Sequence, residues 1–163
     1  MPEDVARKIT AHASKMYLSG ARSVEVEQYV RALAPKLADS RIRLIARTET
    51  SKAETALTRE RSLNIGADWY QWQSSRDSRV RPSHKNMDGV IVAWNNPPSP
   101  EQLIGEHSTL GRYHAGSTVQ CRCIALPIVS LDEIRWPARV YTGSIVMMTR
   151  AAFAKKYGEK IAA

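Results

Sequence analysis

Trp69-Tyr70-Gln71-Trp72-Gln73 alternates bulky apolar and polar residues, and it runs on into Ser74-Ser75-Arg76-Asp77-Ser78-Arg79-Val80-Arg81-Pro82-Ser83-His84-Lys85-Asn86-Met87-Asp88-Gly89. A period of two puts Trp69, Gln71 and Gln73 on one face and Tyr70, Trp72 and Ser74 on the other, which predicts a half-buried strand. The polar run Ser74 to Ser78 reads as a turn. Pro82 pushes Arg81 toward an extended backbone. Asp88-Gly89 then forms a turn into a second strand, Val90 to Trp94. A shorter signal answers downstream: Cys121-Arg122-Cys123, read as part of a strand from Val119 to Ile128, with Pro127 marking an edge or an end.

Working toward the N-terminus, the period changes to that of helices. Val5, Ile9, Ala13, Met16 and Tyr17 recur at helical spacing from Glu3 to Tyr17, and Gly20 stops them. Ser23 is placed to cap a second helix, Val24 to Ala34, which Pro35 ends. Asp39 or Ser40 opens a long third helix to about Ile65, closed by Gly66. Glu49 and Glu60 fall on its apolar stripe, so each needs a partner or an edge position, because an unpaired buried charge costs several kcal/mol. Arg76, Arg79 and Arg81 are the expected partners.

Working toward the C-terminus, Pro97, Pro98 and Pro100 break the chain, and Glu101 to Tyr113 reads as a long loop with at most one helical turn. Ile145 to Met148 is strand-like. Thr149 caps a last helix bearing Phe153, Tyr157 and Ile161 on one side and Lys155, Lys156 and Lys160 around the rest. The expected fold class is therefore α+β: N-terminal helices including one long helix, a small mainly antiparallel sheet, and a basic C-terminal helix. The expected division is a helical hairpin (1–38), a core domain (39–130) and a C-terminal appendage (131–163).

The chain has 163 residues, 43% of them apolar and 25% charged, enough for a core in one domain. No apolar run approaches the ~20 residues of a membrane span. Glu3 and Asp4 precede any apolar run, which argues against a secretory signal and for a cytosolic product or something assembled inside a cell. The net charge of +8 makes double-stranded DNA or another polyanion a candidate partner, although the charge is dispersed and also suits a solvated surface.

Three kinds of chemistry are written in these segments. Glu49, Asp77, Arg79, Arg81, His84 and Asp88 form a candidate polar core, in which guanidinium forks meet carboxylates. If the protein is an enzyme, Glu49, Arg81 and His84 are the catalytic candidates for a metal-independent phosphodiesterase of nuclease or toxin type. No nucleophile elbow, phosphate-cradling loop or paired metal motif accompanies them. In a strand, the Cys-x-Cys points both thiols to one face. With His84 and His114 it would supply four ligands for a structural zinc, Cys121, Cys123, His84 and His114, in a nucleic-acid-binding module; the alternative is plain burial of two free thiols, with no cofactor.

Taken in order, Arg47-Thr48-Glu49-Thr50 on a helix, Gly66, Trp69 and Trp72, Asp77 through His84, Met87-Asp88-Gly89 and Cys121-Arg122-Cys123 with Pro127 resemble the phage Mu protein F-like family, over about Ile42 to Pro127. These are minor head, or head morphogenesis, proteins of tailed bacteriophages. The resemblance implies a virion component, assembled in the bacterial cytoplasm and residing at the capsid interior or portal vertex. Its implied partners are the portal and capsid proteins, and its implied role is head assembly, DNA packaging or ejection. No enzymatic activity is settled for the shared domain. Where the family commonly has a Pro-Gly segment before the cysteines, this chain has Tyr113-His114-Ala115-Gly116. Members also usually carry more N-terminal helical sequence, so this chain reads as a short form or a portion of a longer product.

Overall fold

The computed structural model describes residues 3–158. Those residues form two compact units. One is built from the chain up to Leu57 together with Gly116–Cys121. The other comprises Thr58–Ala115 and the chain from Arg122 onward.

The first unit is helical. Helices α1 (Glu3–Leu18), α2 (Ser23–Leu33) and the leading part of α3 (Asp39–Asn64) bury Ile9, Ala13, Val26, Val30, Ile42 and Ala46 against one another. Ile9 and Ala13 belong to the stripe that the helical spacing marks in α1, and Val26/Val30 and Ile42/Ala46 repeat the four-residue spacing in α2 and α3. Ser23 is the first residue of α2 and Arg22 is its N-cap; the Glu25 side chain turns back to accept the Arg22 backbone N–H. His12 and Tyr29 stack with ring centroids 3.8 Å apart, joining α1 to α2. Glu49 is tied within this unit, as acceptor from the Thr10 hydroxyl (2.7 Å) and the Lys52 ammonium (2.9 Å).

The second unit holds a five-stranded sheet in the order β3-β1-β2-β4-β5, with β1 Trp69–Gln73, β2 Ile91–Ala93, β3 Ile124–Pro127, β4 Ala138–Tyr141 and β5 Ile145–Met148. Every pairing is antiparallel except β2 with β4. Gly66, at φ 74°, ends α3 in the left-handed conformation that an L side chain resists, and this turns the chain into β1. In β1, Tyr70 and Trp72 are fully buried while Trp69, Gln71 and Gln73 are half-buried, as the alternation requires. The fold class is α+β, with N-terminal helices, one of them long, a mostly antiparallel sheet and a last helix.

Three local readings differ from the sequence expectation. Residues Pro82–Met87 form a short helix, α4, with the proline at its first position, where a missing N–H costs nothing. The segment Val119 to Ile128 is not one strand: Thr118–Cys121 is a turn, Gln120 adopts φ 56°, and pairing begins only at Ile124. Both cysteines therefore lie ahead of β3, outside a strand face. The chain after Leu131 is no separate appendage, since β4 and β5 extend the sheet.

The last helix, α5 (Arg150–Tyr157), starts at Thr149, whose hydroxyl accepts the Ala152 N–H at 3.2 Å. Phe153 is fully buried in a cluster with Ile91, Ile128, Leu131, Ile134, Ala138 and Val140. It meets Trp69 edge-on at 5.0 Å, and Tyr157 closes over the same indole at 4.7 Å. Lys160 and Ile161, assigned to this helix from the sequence, lie outside the described residues. Truncating Phe153→Ala removes the centre of this cluster and is expected to destabilise the protein by about 3–5 kcal/mol. Urea unfolding of the variant checks this, and a loss under ~1 kcal/mol would show α5 to be loosely docked.

Candidate functional site

The chemistry of the second unit centres on α4. Its first turn presents Ser83 and His84, both buried, toward the loop that follows Pro100. The glycine at the end of that loop's single helical turn, Gly105 (φ 79°), reverses the chain, and Tyr113 is anchored by its N–H to the Pro98 carbonyl at 2.9 Å. These supports bring four side chains into a row. The Tyr113 hydroxyl donates to Glu101 Oε1 at 2.6 Å and meets His84 Nε2 at 2.9 Å; His84 Nδ1 lies 3.5 Å from Cys123 Sγ. The Ser83 and Ser108 hydroxyls donate to the same carboxylate at 3.3 and 3.2 Å.

The protonation pattern follows from these contacts. Burial pushes the Glu101 carboxyl upward, but the hydrogen bonds it accepts from Tyr113, its own backbone, Ser108 and Ser83 outweigh this and leave its pKa lowered. An ionised carboxylate only accepts, so the single phenolic proton of Tyr113 is committed to Glu101. Toward His84 the phenol oxygen can then only accept. Nε2 therefore carries the imidazole hydrogen, and in the neutral ring Nδ1 turns a lone pair toward Cys123.

The other predicted polar residues are placed around this row rather than in it. Asp77 is gripped by both terminal nitrogens of Arg122, one at 2.7 Å, and accepts the Arg79 N–H at 2.9 Å. The Arg122 hydrogen bond is the largest influence holding the Asp77 carboxyl down at about 2. Asp88 accepts the Ser74 N–H at 2.8 Å and Arg76 Nε at 3.0 Å, closing the turn after β1. Burial opposes ionisation there, and those bonds win, leaving its pKa lowered. The Arg79 side chain is exposed and Arg81 is half-buried. Glu49 finds its partners, Thr10 and Lys52, in the other unit, and Glu60 pairs with Arg59 at an exposed position. Cys121 is buried, takes part in no disulfide and is counted with the first unit.

His114 takes a separate place. Its Nδ1 meets the Tyr70 hydroxyl at 3.2 Å, and its ring lies edge-on to Tyr70 and Trp94. Burial first, and the Arg59 charge second, lower its pKa to about 4 against a smaller opposing pull from the Trp94 backbone. Sequence reasoning missed Glu101 and Tyr113. Ser99-Pro100-Glu101 carries a helix-start signature that could have located the carboxylate; a lone tyrosine in a loop carries none.

A model of the family described as Phage Mu protein F like protein matches residues 4–126. The chain belongs to the phage Mu protein F-like family, a phage head morphogenesis family. The matched region starts within α1, so the N-terminal helices, which the sequence resemblance left out, fall inside it. A Haemophilus influenzae protein described only as "Uncharacterized protein" is 35% identical over 98 residues, 60% of this chain and 20% of that one. The Mu F-like chain thus spans about a fifth of the length of this curated relative. No solved structure matches it.

Two outcomes follow for this Mu F-like chain. Glu101→Ala strips the acceptor from three hydroxyls and is expected to lower stability by about 1–3 kcal/mol, measured by denaturant unfolding. His114 resists protonation when folded, so its contribution is complete above pH 6.5 and drains away as the pH falls toward about 4. Stability measured across that window should decline with falling pH, and His114→Gln should flatten the decline.

Proposed function

We propose that the chain is a minor head protein of a tailed bacteriophage, a structural part that works beside the portal and inner capsid in head assembly, DNA packaging or ejection. Membership of the Mu F-like family over residues 4–126 is the observation that carries this reading. A virion location follows from it, since a head morphogenesis protein meets other head proteins where the capsid is built. No helix among the described residues is long and apolar enough to cross a membrane.

The side chains favour an assembly part over a phosphodiesterase. Of the three catalytic candidates, Glu49 is engaged by Thr10 and Lys52, while His84 is 3% exposed and engaged at both ring nitrogens. A general base needs reach to a substrate proton, and a ring so enclosed serves loop geometry better. The net charge of +8 supports double-stranded DNA as a further partner, held through phosphates without base readout.

Purified particles test the proposal. The chain should co-sediment with heads carrying portal protein, and its absence from both procapsids and mature virions would count decisively against the assembly role. DNA binding through about four phosphates should weaken roughly 100-fold between about 50 and 200 mM salt, read by filter binding or anisotropy. A salt-independent affinity would remove DNA from the partners.

A further inference from the structure

We propose that His84 and Cys123 form a binding site for a thiophilic divalent cation, zinc by its donor chemistry, with Nδ1 and Sγ as ligands. Three observations within the second unit converge on it. First, the hydrogen-bond order fixes the tautomer: Tyr113 donates to Glu101 and accepts from Nε2, so in the neutral ring the lone pair sits on Nδ1, the nitrogen facing Cys123 Sγ. A metal-binding histidine is typically held this way, its far N–H anchored through an oxygen and a carboxylate that orient the ring and raise its basicity.

Second, the spacing fits. Bonds of about 2.3 Å to sulfur and about 2.05 Å to nitrogen, at a tetrahedral angle, place those two ligand atoms about 3.6 Å apart. Sγ and Nδ1 are 3.5 Å apart. Third, both residues are buried, His84 at 3% and Cys123 at 4% exposure, so the ligands are held by packing.

Imidazole and thiolate select zinc over magnesium or calcium, which prefer oxygen. On binding, the Cys123 thiol releases its proton to solvent and the sulfur lone pair goes to the metal, with no change of oxidation state. The rival reading of the same 3.5 Å contact is a thiol donating to Nδ1 with no metal involved.

The full chain, reduced, stripped with chelator and dialysed against limiting zinc or cobalt(II), separates the two. The expected result is about one equivalent of metal retained, and a sulfur-to-cobalt charge-transfer band in the near ultraviolet. Cys123→Ser and His84→Gln should each lose the band and the retained metal, while His114→Gln keeps both. Tyr113→Phe leaves both ligands but removes the anchor on Nε2, and is expected to weaken binding about 10–100-fold.

Circular dichroism checks that each variant is folded. If Cys123→Ser fails to fold, the Tyr113→Phe titration decides, and an affinity equal to wild type overturns the site. Wild-type protein that retains under about a tenth of an equivalent, or folded ligand variants that retain as much as wild type, overturn it equally.

Discussion

One phenolic proton organises the second unit. Tyr113 has a single hydrogen to give and two neighbours that want it, a carboxylate and an imidazole. Because Glu101 is held ionised by four hydrogen bonds, the carboxylate wins, and the direction of every other bond in the row is set. His84 must present N–H to the phenol and a lone pair to Cys123. A buried network of this kind is favourable only when each member is satisfied, since losing one partner leaves another buried and unpaired. That requirement couples α4, the loop after Pro100 and the segment entering β3 into one arrangement.

The coupling answers an entropic problem. Between β2 and Ala115 the chain runs for more than twenty residues with a single helical turn, and each ordered residue costs about 1–2 kcal/mol of backbone entropy. Three prolines lower that cost by restricting the unfolded chain as well. Side-chain anchors supply much of the rest: Arg112 bridges Asn96 and the Tyr141 hydroxyl, both at 3.0 Å, Tyr113 is pinned at both its backbone and its ring oxygen, and His114 lodges against Tyr70 and Trp94. The loop is ordered by spaced polar and aromatic anchors more than by a continuous apolar face, which is why hydropathy alone reads it as structureless.

What could be read in advance divides along the same physical line. Short-range, periodic signals were legible: the three N-terminal helices, the alternation of Trp69 to Gln73, Gly66 as a helix stop and Thr149 as a cap all rest on interactions between residues close in sequence. Long-range pairings were not. Nothing local tells Asp77 that its partner is Arg122 rather than Arg79 or Arg81, or tells Glu49 that Thr10 and Lys52 will take it. Pro82 both restricts Arg81 and suits the first position of a helix, and the second property opens α4. The apolar neighbours of the Cys-x-Cys suggest a strand, yet a left-handed Gln120 breaks the backbone just ahead of it.

The boundary of the family match makes a further point about the sheet. It ends at residue 126, inside β3, and so takes in β1 and β2 but neither β4 nor β5. In this chain β2 is a central strand only because β4 lies beside it, pairing Ile91 with Val140. Ile91 and Trp69 are covered by Ile128, Leu131, Val140 and Phe153, every one of them beyond the match. A sheet stopped at β2 would present an open edge and an uncovered apolar face, the combination that invites pairing with another chain. The segment following the shared region therefore has a fixed physical task, to close that edge and cover that face. Helix α5 and the β4–β5 hairpin accomplish it here.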